Sequence, residues 1–150
     1  MVEFFLNNKR VKAEEGETIW QVAKKNGILL PHLCYSDKPG YRADGNCRAC
    51  MVSVEGERVL VASCIRQPTE GMKVSTEDER SAKSRKMVLE LLVTDQPVKE
   101  DCHDPDSHFW KIADEVKVRK SRFDKRENKE VPISDNSHVA MAVNLDACIQ

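Results

Sequence analysis

The sequence has 150 residues, a formal net charge of −1 and only 5% aromatic residues, which describes a polar chain with one modest core. This length suits one small domain with extensions and excludes a large catalytic domain. The near-neutral charge gives no overall attraction to nucleic acid or anionic lipid, and no apolar run is long enough for a membrane span. We therefore expect neither a nucleic-acid partner nor a membrane-spanning segment.

The first segment predicts a β-hairpin followed by a helix. Apolar side chains alternate with others over residues 2–6, and two asparagines follow at 7–8, as in a strand that enters a tight turn. Thr18 and Gln21 then have the spacing of a helix capping box, and Gly27 is a typical helix end. Hairpin, helix and a following loop, in that order, fit a β-grasp fold. This is an α+β architecture in which a helix packs across a mixed sheet.

Four of the six cysteines lie close together in the next segment, at Cys34, Cys47, Cys50 and Cys64. The N-terminus has no secretory cleavage pattern, so we expect reduced thiols and a metal site rather than disulfides. Structural zinc sites usually take their cysteines from two close pairs, whereas this chain has one close pair and two single cysteines. The spacing therefore favours iron, with zinc as the alternative.

The loop over residues 36–46 is rich in small and turn-forming residues. Such a loop can turn backbone N–H groups toward an anion, as an iron–sulfur cluster with thiolate ligands requires. Arg42 and Arg48 are expected to raise the reduction potential of that cluster. Two β-rich runs, over 51–54 and 58–61, then predict a hairpin that brings the cysteines before and after it to the same end.

The run over residues 40–74 resembles the N-terminal [2Fe-2S] domain of the large iron–sulfur subunit of NADH dehydrogenase (complex I). The same domain begins bidirectional hydrogenase diaphorases and NAD-dependent formate dehydrogenases. The resemblance implies that Cys34, Cys47, Cys50 and Cys64 are the four ligands of a [2Fe-2S] cluster. It also implies a β-grasp ferredoxin-like fold followed by a helical extension.

From Thr76 the sequence pattern becomes helical. Thr76 and Glu79 predict a second capping box, and apolar residues over 88–93 predict one buried helix face that ends before Pro97. A basic stretch on this helix is interpreted as a solvated face, with a docking surface for an acidic redox partner as the alternative. Its members are Arg80, Lys83, Arg85 and Lys86.

In many of the proteins that the chain resembles, this helix leads into a second cluster site at the motif Asp-His-Pro. Here residues 95–97 are Asp-Gln-Pro, so Gln96 replaces the ligand histidine and no second cluster is expected. Cys102, His103 and His108 form an alternative metal site that is short of ligands. We interpret Cys102 as a free thiol.

A third helix is predicted after these residues. Asp106 or Ser107 can cap it, and Phe109 and Ile112 lie at helical spacing on one apolar face. The sequence over 103–116 also makes the chain most similar to one branch of the formate dehydrogenases.

The last part of the chain begins with a charged connector and ends within a cysteine motif. The residues up to Cys148 resemble the opening of a ferredoxin-like domain with [4Fe-4S] clusters, so we expect a fragment or a split subunit. The predicted domains are a [2Fe-2S] β-grasp domain over 1–75, a helical extension over 76–117, and a connector into that truncated domain over 118–150.

No catalytic constellation is present, so the predicted chemistry is electron transfer. The resemblance implies a module of a cytoplasmic NAD-dependent formate dehydrogenase. In that enzyme formate is oxidised to carbon dioxide at a molybdenum or tungsten bis-pterin centre, and electrons pass through [4Fe-4S] clusters to FMN in a diaphorase subunit that reduces NAD. The alternatives are the same module of complex I or of an NAD-reducing hydrogenase, a free-standing ferredoxin, and a zinc-bound structural or interaction module.

Overall fold

The computed structural model describes residues 1–36, 38–102, 104–124 and 134–144. The chain forms two compact units, Met1–Val88 and Leu89–Gln150. The division into three parts that the sequence suggests stays a prediction. Within the described ranges, none of the helices is both long and apolar enough to cross a membrane.

The first unit is built on a mixed sheet of five strands. They are β1 (Val2–Leu6), β2 (Lys9–Ala13), β3 (Met51–Val54), β4 (Val61–Ala62) and β5 (Lys73–Ser75). Their order in the sheet is β2-β1-β5-β3-β4. Strand β1 pairs antiparallel with β2 and parallel with β5, and β3 pairs antiparallel with both β4 and β5. Helix α1 (Ile19–Lys25) contributes its buried side chains to the same core. This is the predicted α+β arrangement.

The local signals in the first segment are confirmed. Asn7 and Asn8 have φ values of 49° and 64°, the left-handed geometry that a tight turn between antiparallel strands requires. At the start of α1 the Gln21 N–H donates to Thr18 Oγ1 at 3.3 Å, and the Thr18 N–H donates to Gln21 Oε1 at 2.9 Å. The capping box therefore fixes the start of the helix that packs on the sheet.

The core of the first unit joins α1 to the inner strands. Its largest fully buried side chains include Phe4 and Leu6 from β1, Ile19 from α1 and Val52 from β3. Cys50 and Cys64 belong to the same cluster of buried residues. Since packed interiors tolerate little displacement, the core of the first unit holds these two thiols in place.

The second strand of the predicted β3–β4 hairpin is shorter than expected. The prediction placed it over 58–61, whereas β4 covers Val61–Ala62 only. Val59 is 58% exposed and therefore lacks the burial that usually keeps an apolar residue in a strand. The loop between the two strands is correspondingly longer.

Helix α2 (Glu79–Val93) ends before Pro97 as predicted, but Thr76 does not cap it. The Asp78 carboxylate accepts a hydrogen bond from the Ser81 N–H at 3.0 Å, which is the contact of an N-cap residue. The Thr76 N–H instead donates to Asn7 Oδ1 at 2.8 Å, and Thr76 Oγ1 accepts from Asn7 Nδ2 at 2.7 Å. The predicted capping box was wrong because a long-range partner, Asn7, binds the N–H and the hydroxyl of Thr76.

The second unit contains a short 3-10 helix (Lys99–Asp101), helix α3 (His108–Glu115) and a hairpin of β6 (Ser134–His138) and β7 (Met141–Asn144). Ser107 caps α3, because its hydroxyl accepts from the Trp110 N–H at 3.4 Å, and Phe109 and Ile112 are buried as predicted. The β6–β7 hairpin was not predicted. Residues 125–133 of the predicted connector, and Cys148 near its end, lie outside the described residues.

Candidate metal centre

The four candidate ligands come from two kinds of structure. Cys34 and Cys47 lie on the long loop between α1 and β3, and both are half-buried. Cys50 directly precedes β3 and Cys64 follows β4, and each of these side chains is 1% exposed. Because Met51 pairs with Ala62 across the two strands, Cys50 and Cys64 reach the same end of the hairpin. That part of the prediction is confirmed.

The four thiols lie in two pairs. The Cys47 N–H donates to Cys34 Sγ at 3.4 Å, and the Cys34 and Cys47 thiols interact with each other. The Cys50 and Cys64 thiols share a hydrogen bond, and Cys64 also experiences the charges of the other pair. Among the described residues, no group of three or more His, Cys, Asp or Glu side chains is arranged to hold a metal ion. Two pairs of soft thiolate donors fit a dinuclear iron–sulfur cluster with two thiolates for each iron.

The thiols differ in how readily they lose a proton. The hydrogen bond from Cys64 lowers the pKa of the Cys50 thiol to about 6, and the same contact raises the pKa of Cys64 well above its ordinary value. Burial raises the pKa of Cys47. Cysteine binds metals as the thiolate, so Cys50 is poised to bind while Cys64 and Cys47 must release their protons on loading.

Residues 1–79 match the family of the 2Fe-2S iron-sulfur cluster binding domain. This chain belongs to that family. The mitochondrial NADH-ubiquinone oxidoreductase 78 kDa subunit of Candida albicans is 40% identical over 67% of this chain. The NADP-reducing hydrogenase subunit HndD of Solidesulfovibrio fructosivorans is 33% identical over 83% of it. The crystal structure of an NAD+-reducing [NiFe]-hydrogenase in the H2-reduced state superposes on 99% of this chain with a TM-score of 0.86 and 25% identity.

These proteins are longer than this chain. It spans 14% of the C. albicans subunit, 22% of HndD and 62% of the matching hydrogenase chain. The predicted ferredoxin-like α+β fold is confirmed by the family match and by the superposition. The assignment of the four cysteines as ligands stays a prediction, as does the narrower relation to formate dehydrogenases.

Backbone N–H groups of this 2Fe-2S domain face the candidate ligands. Hydrogen bonds from the Ala49, Cys34 and Leu33 backbones lower the pKa of Cys47 and offset part of its burial. The Ser63 hydroxyl and backbone act in the same direction on Cys50. Hydrogen bonds to sulfur stabilise negative charge at an iron–sulfur site. These donors lie outside residues 36–46, so the expectation that N–H groups of that loop face the sulfur atoms stays a prediction.

The left-handed backbone of the loop brings it close to the segment after β4. Gly45 has a φ of +66°, and a Cβ atom at this position would lie 2.9 Å from Ile65 Cδ1. Ile65 is the residue directly after Cys64. Arg48 is also left-handed, with a φ of 57°. Glycine is the residue that adopts this conformation without strain, and here it is also the one that leaves room for Ile65.

Arg42 is poorly placed to act on the site. Its Nε–H donates to Asp44 Oδ1 at 2.9 Å, and 89% of the Arg42 side chain is exposed. A charge that is both paired and surrounded by water is strongly screened. Arg48 is exposed as well, so the two loop arginines give less electrostatic support than the sequence suggested.

An aromatic cluster that the sequence analysis did not identify supports the loop at Cys34. The Trp20 Nε1–H donates to the Leu30 carbonyl at 3.1 Å, and the Trp20 ring contacts His32 and Tyr35 edge-on with centroid distances of 4.6 and 4.9 Å. Two of these rings flank Cys34 in sequence. The aromatic residues on both sides of a candidate ligand were the available signal, but their partner in α1 is set by packing.

The region that replaces the second cluster site holds a buried amide and a free thiol. Gln96, which stands in place of the ligand histidine, is 4% exposed. Cys102 is a free cysteine whose Sγ donates to the Lys99 carbonyl at 3.1 Å. Its interpretation as a thiol that binds no metal stays a prediction. His103 lies outside the described residues, and His108 begins α3.

Proposed function

We propose that this chain is an electron-transfer module in which Cys34, Cys47, Cys50 and Cys64 hold a [2Fe-2S] cluster. The observation that carries the proposal is the grouping of the four thiols into two pairs whose charges interact, with a backbone N–H that donates to Cys34 Sγ. When bound, such a cluster accepts and releases one electron at a time.

The protein gives the two sides of the site different roles. Cys50 and Cys64 are buried in the core, which excludes water and holds that half of the site rigid. Cys34 and Cys47 are half-buried on a loop. Since electron transfer is fastest over short distances, we propose that a redox partner approaches from the side of Cys34 and Cys47.

We further propose that the module serves in a multi-subunit NAD-dependent formate dehydrogenase in the cytoplasm. The support is the sequence over 103–116 and the replacement of a ligand histidine by Gln96. In this proposal the molybdenum or tungsten bis-pterin centre, the [4Fe-4S] clusters, FMN and NAD bind to other parts of the enzyme. A flavin-containing diaphorase subunit is the partner.

The second candidate is the equivalent module of an NAD-reducing hydrogenase. The hydrogenase structure superposes on 99% of the chain, including the part beyond the family match, and this observation favours it. Affinity purification of the intact complex from its native cells, with mass spectrometry of the co-purified subunits, separates the candidates. A molybdenum- or tungsten-binding subunit supports formate dehydrogenase, and a nickel-binding subunit supports hydrogenase.

The cluster itself is tested by anaerobic purification of the chain, with iron and acid-labile sulfide assays, absorbance and low-temperature EPR. We expect about two iron and two sulfide per chain, and an EPR signal that appears only on reduction. Zinc without sulfide would contradict the proposal and favour a structural or interaction module.

Replacing one ligand gives a sharper test. C47S should remove the cluster, because a hydroxyl is a poor ligand for iron in a thiolate site and the Cys47 position completes one of the two pairs. C102S is the matched control, since Cys102 is not one of the four proposed ligands and lies in the second unit. Full iron and sulfide in C47S, or loss of both in C102S, would contradict the ligand assignment.

A further inference from the structure

One basic side chain of α2 points inward. Arg85 is half-buried, and its guanidinium donates two hydrogen bonds of 2.7 Å, one to the Met51 carbonyl and one to the Thr76 carbonyl. The solvated basic face predicted for this helix therefore does not include Arg85. The other members of the stretch are exposed, namely Arg80, Lys83 and Lys86.

The two acceptors fix Arg85 beside a candidate ligand. Met51 directly follows Cys50, and the paired part of β3 and β5 extends only to Ser53 and Ser75. The planar guanidinium joins the two chains beyond that last pair, and its rigid fork suits two acceptors at once. Because both acceptors are backbone atoms at the sheet, the charge of Arg85 stays in one place relative to Cys50.

Arg85 interacts with two anionic groups. Burial lowers the pKa of Arg85, while attraction to the Asp78 carboxylate and to the Cys50 thiolate raises it. Arginine remains protonated in proteins, so Arg85 is a permanent cation here. Asp78 is held in place by hydrogen bonds from the Ser53 hydroxyl at 2.8 Å and the Ser81 N–H at 3.0 Å.

We propose that Arg85 tunes the reduction potential of the [2Fe-2S] site, as a fixed cation that stabilises the reduced state. This inference rests on the proposed function. One-electron reduction adds one negative charge at the site, and a cation in a partly desolvated position favours the more negative state. Asp78 acts in the opposite direction. The tuning charge thus comes from α2, outside the loop and the hairpin that carry the four cysteines.

The test is a redox titration of the full chain with its cluster, monitored through the EPR signal of the reduced form. In R85Q the ratio of reduced to oxidised cluster at a fixed potential should fall about tenfold, which lowers the reduction potential by about 59 mV for a one-electron couple. D78N removes the opposing charge and should shift the potential upward. K86Q removes an exposed charge from the same helix and should leave the potential unchanged.

A further variant separates charge from hydrogen bonding. R85K keeps the cation but cannot reproduce the two-armed contact. We expect it to retain a potential near that of the wild type, while its thermal unfolding temperature falls. An R85K potential as low as that of R85Q would overturn the inference, since the hydrogen bonds and not the charge would then be responsible.

The outcomes are distinguishable from failure of the proposed function. Equal reduction potentials in cluster-loaded wild type, R85Q and D78N would overturn the role of Arg85 and leave the proposed function intact. If R85Q does not load, D78N decides, because a raised potential supports the inference and an unchanged one overturns it. A wild-type chain without iron and sulfide overturns the proposed function and this inference together.

Discussion

Replacing Trp20 by phenylalanine tests whether the aromatic cluster holds the loop at Cys34. The substitution removes the Nε1–H that donates to the Leu30 carbonyl and shortens the ring that contacts His32 and Tyr35. Trp20 is 4% exposed, so water cannot replace the lost partner freely. The expected result is a less stable first unit and a more weakly held ligand.

The magnitude follows from the contacts that are lost. A net hydrogen bond contributes about 1 kcal/mol, and a well-placed edge-on aromatic contact contributes about 0.5–1.5 kcal/mol. His32 Nδ1 also lies 3.3 Å from the Leu30 carbonyl, so that oxygen is not left buried without a contact. We therefore expect W20F to lower the free energy of unfolding by about 2 kcal/mol.

The assay is urea unfolding followed by far-UV circular dichroism, together with iron retention during dilution into chelator. W20F should lose iron faster than the wild type. W110F is the matched control, because Trp110 is equally buried but lies in the second unit. An unfolding free energy within about 0.5 kcal/mol of the wild type, with unchanged iron retention, would refute the reasoning for Trp20.

Two further predictions concern the loop backbone and acid stability. G45A should destabilise the chain by about 1–3 kcal/mol and slow cluster loading, because φ at this position is +66° and the new Cβ meets Ile65. G16A is the control, since Gly16 is also left-handed but has open space around it, and it should destabilise the chain less. Equal urea midpoints for the two variants would contradict this prediction. Burial alone would raise the pKa of Asp78, but hydrogen bonds from Ser81 and other groups lower it below its ordinary value of 3.8. The stabilisation that the Asp78 carboxylate contributes is therefore present above pH 3.8 and is lost as the pH falls through the lowered pKa. The urea midpoint of D78N should therefore decline less steeply below about pH 4 than that of the wild type. An unchanged decline would count against this prediction.

Much of the first unit was predictable because its signals are local. The alternation over 2–6, the asparagine turn and the capping box of Thr18 and Gln21 each act within a few residues, and all are observed. The four cysteines could be named as candidate ligands for the same reason, since residue type and spacing are properties of the chain itself. The family match over residues 1–79 agrees with the iron that the spacing favoured and with the [2Fe-2S] cluster that the resemblance implied.

The tertiary structure decided which residues are hydrogen-bond partners over long distances in the sequence. Sequence spacing places Arg85 on a helix, but only the packing of α2 against the ends of β3 and β5 turns its guanidinium toward two carbonyls and away from water. Thr76 has the spacing of a cap, yet its hydroxyl and its N–H bind Asn7 instead. A buried polar group bonds to whatever acceptor or donor the fold brings within reach, and that neighbour can lie far away along the chain.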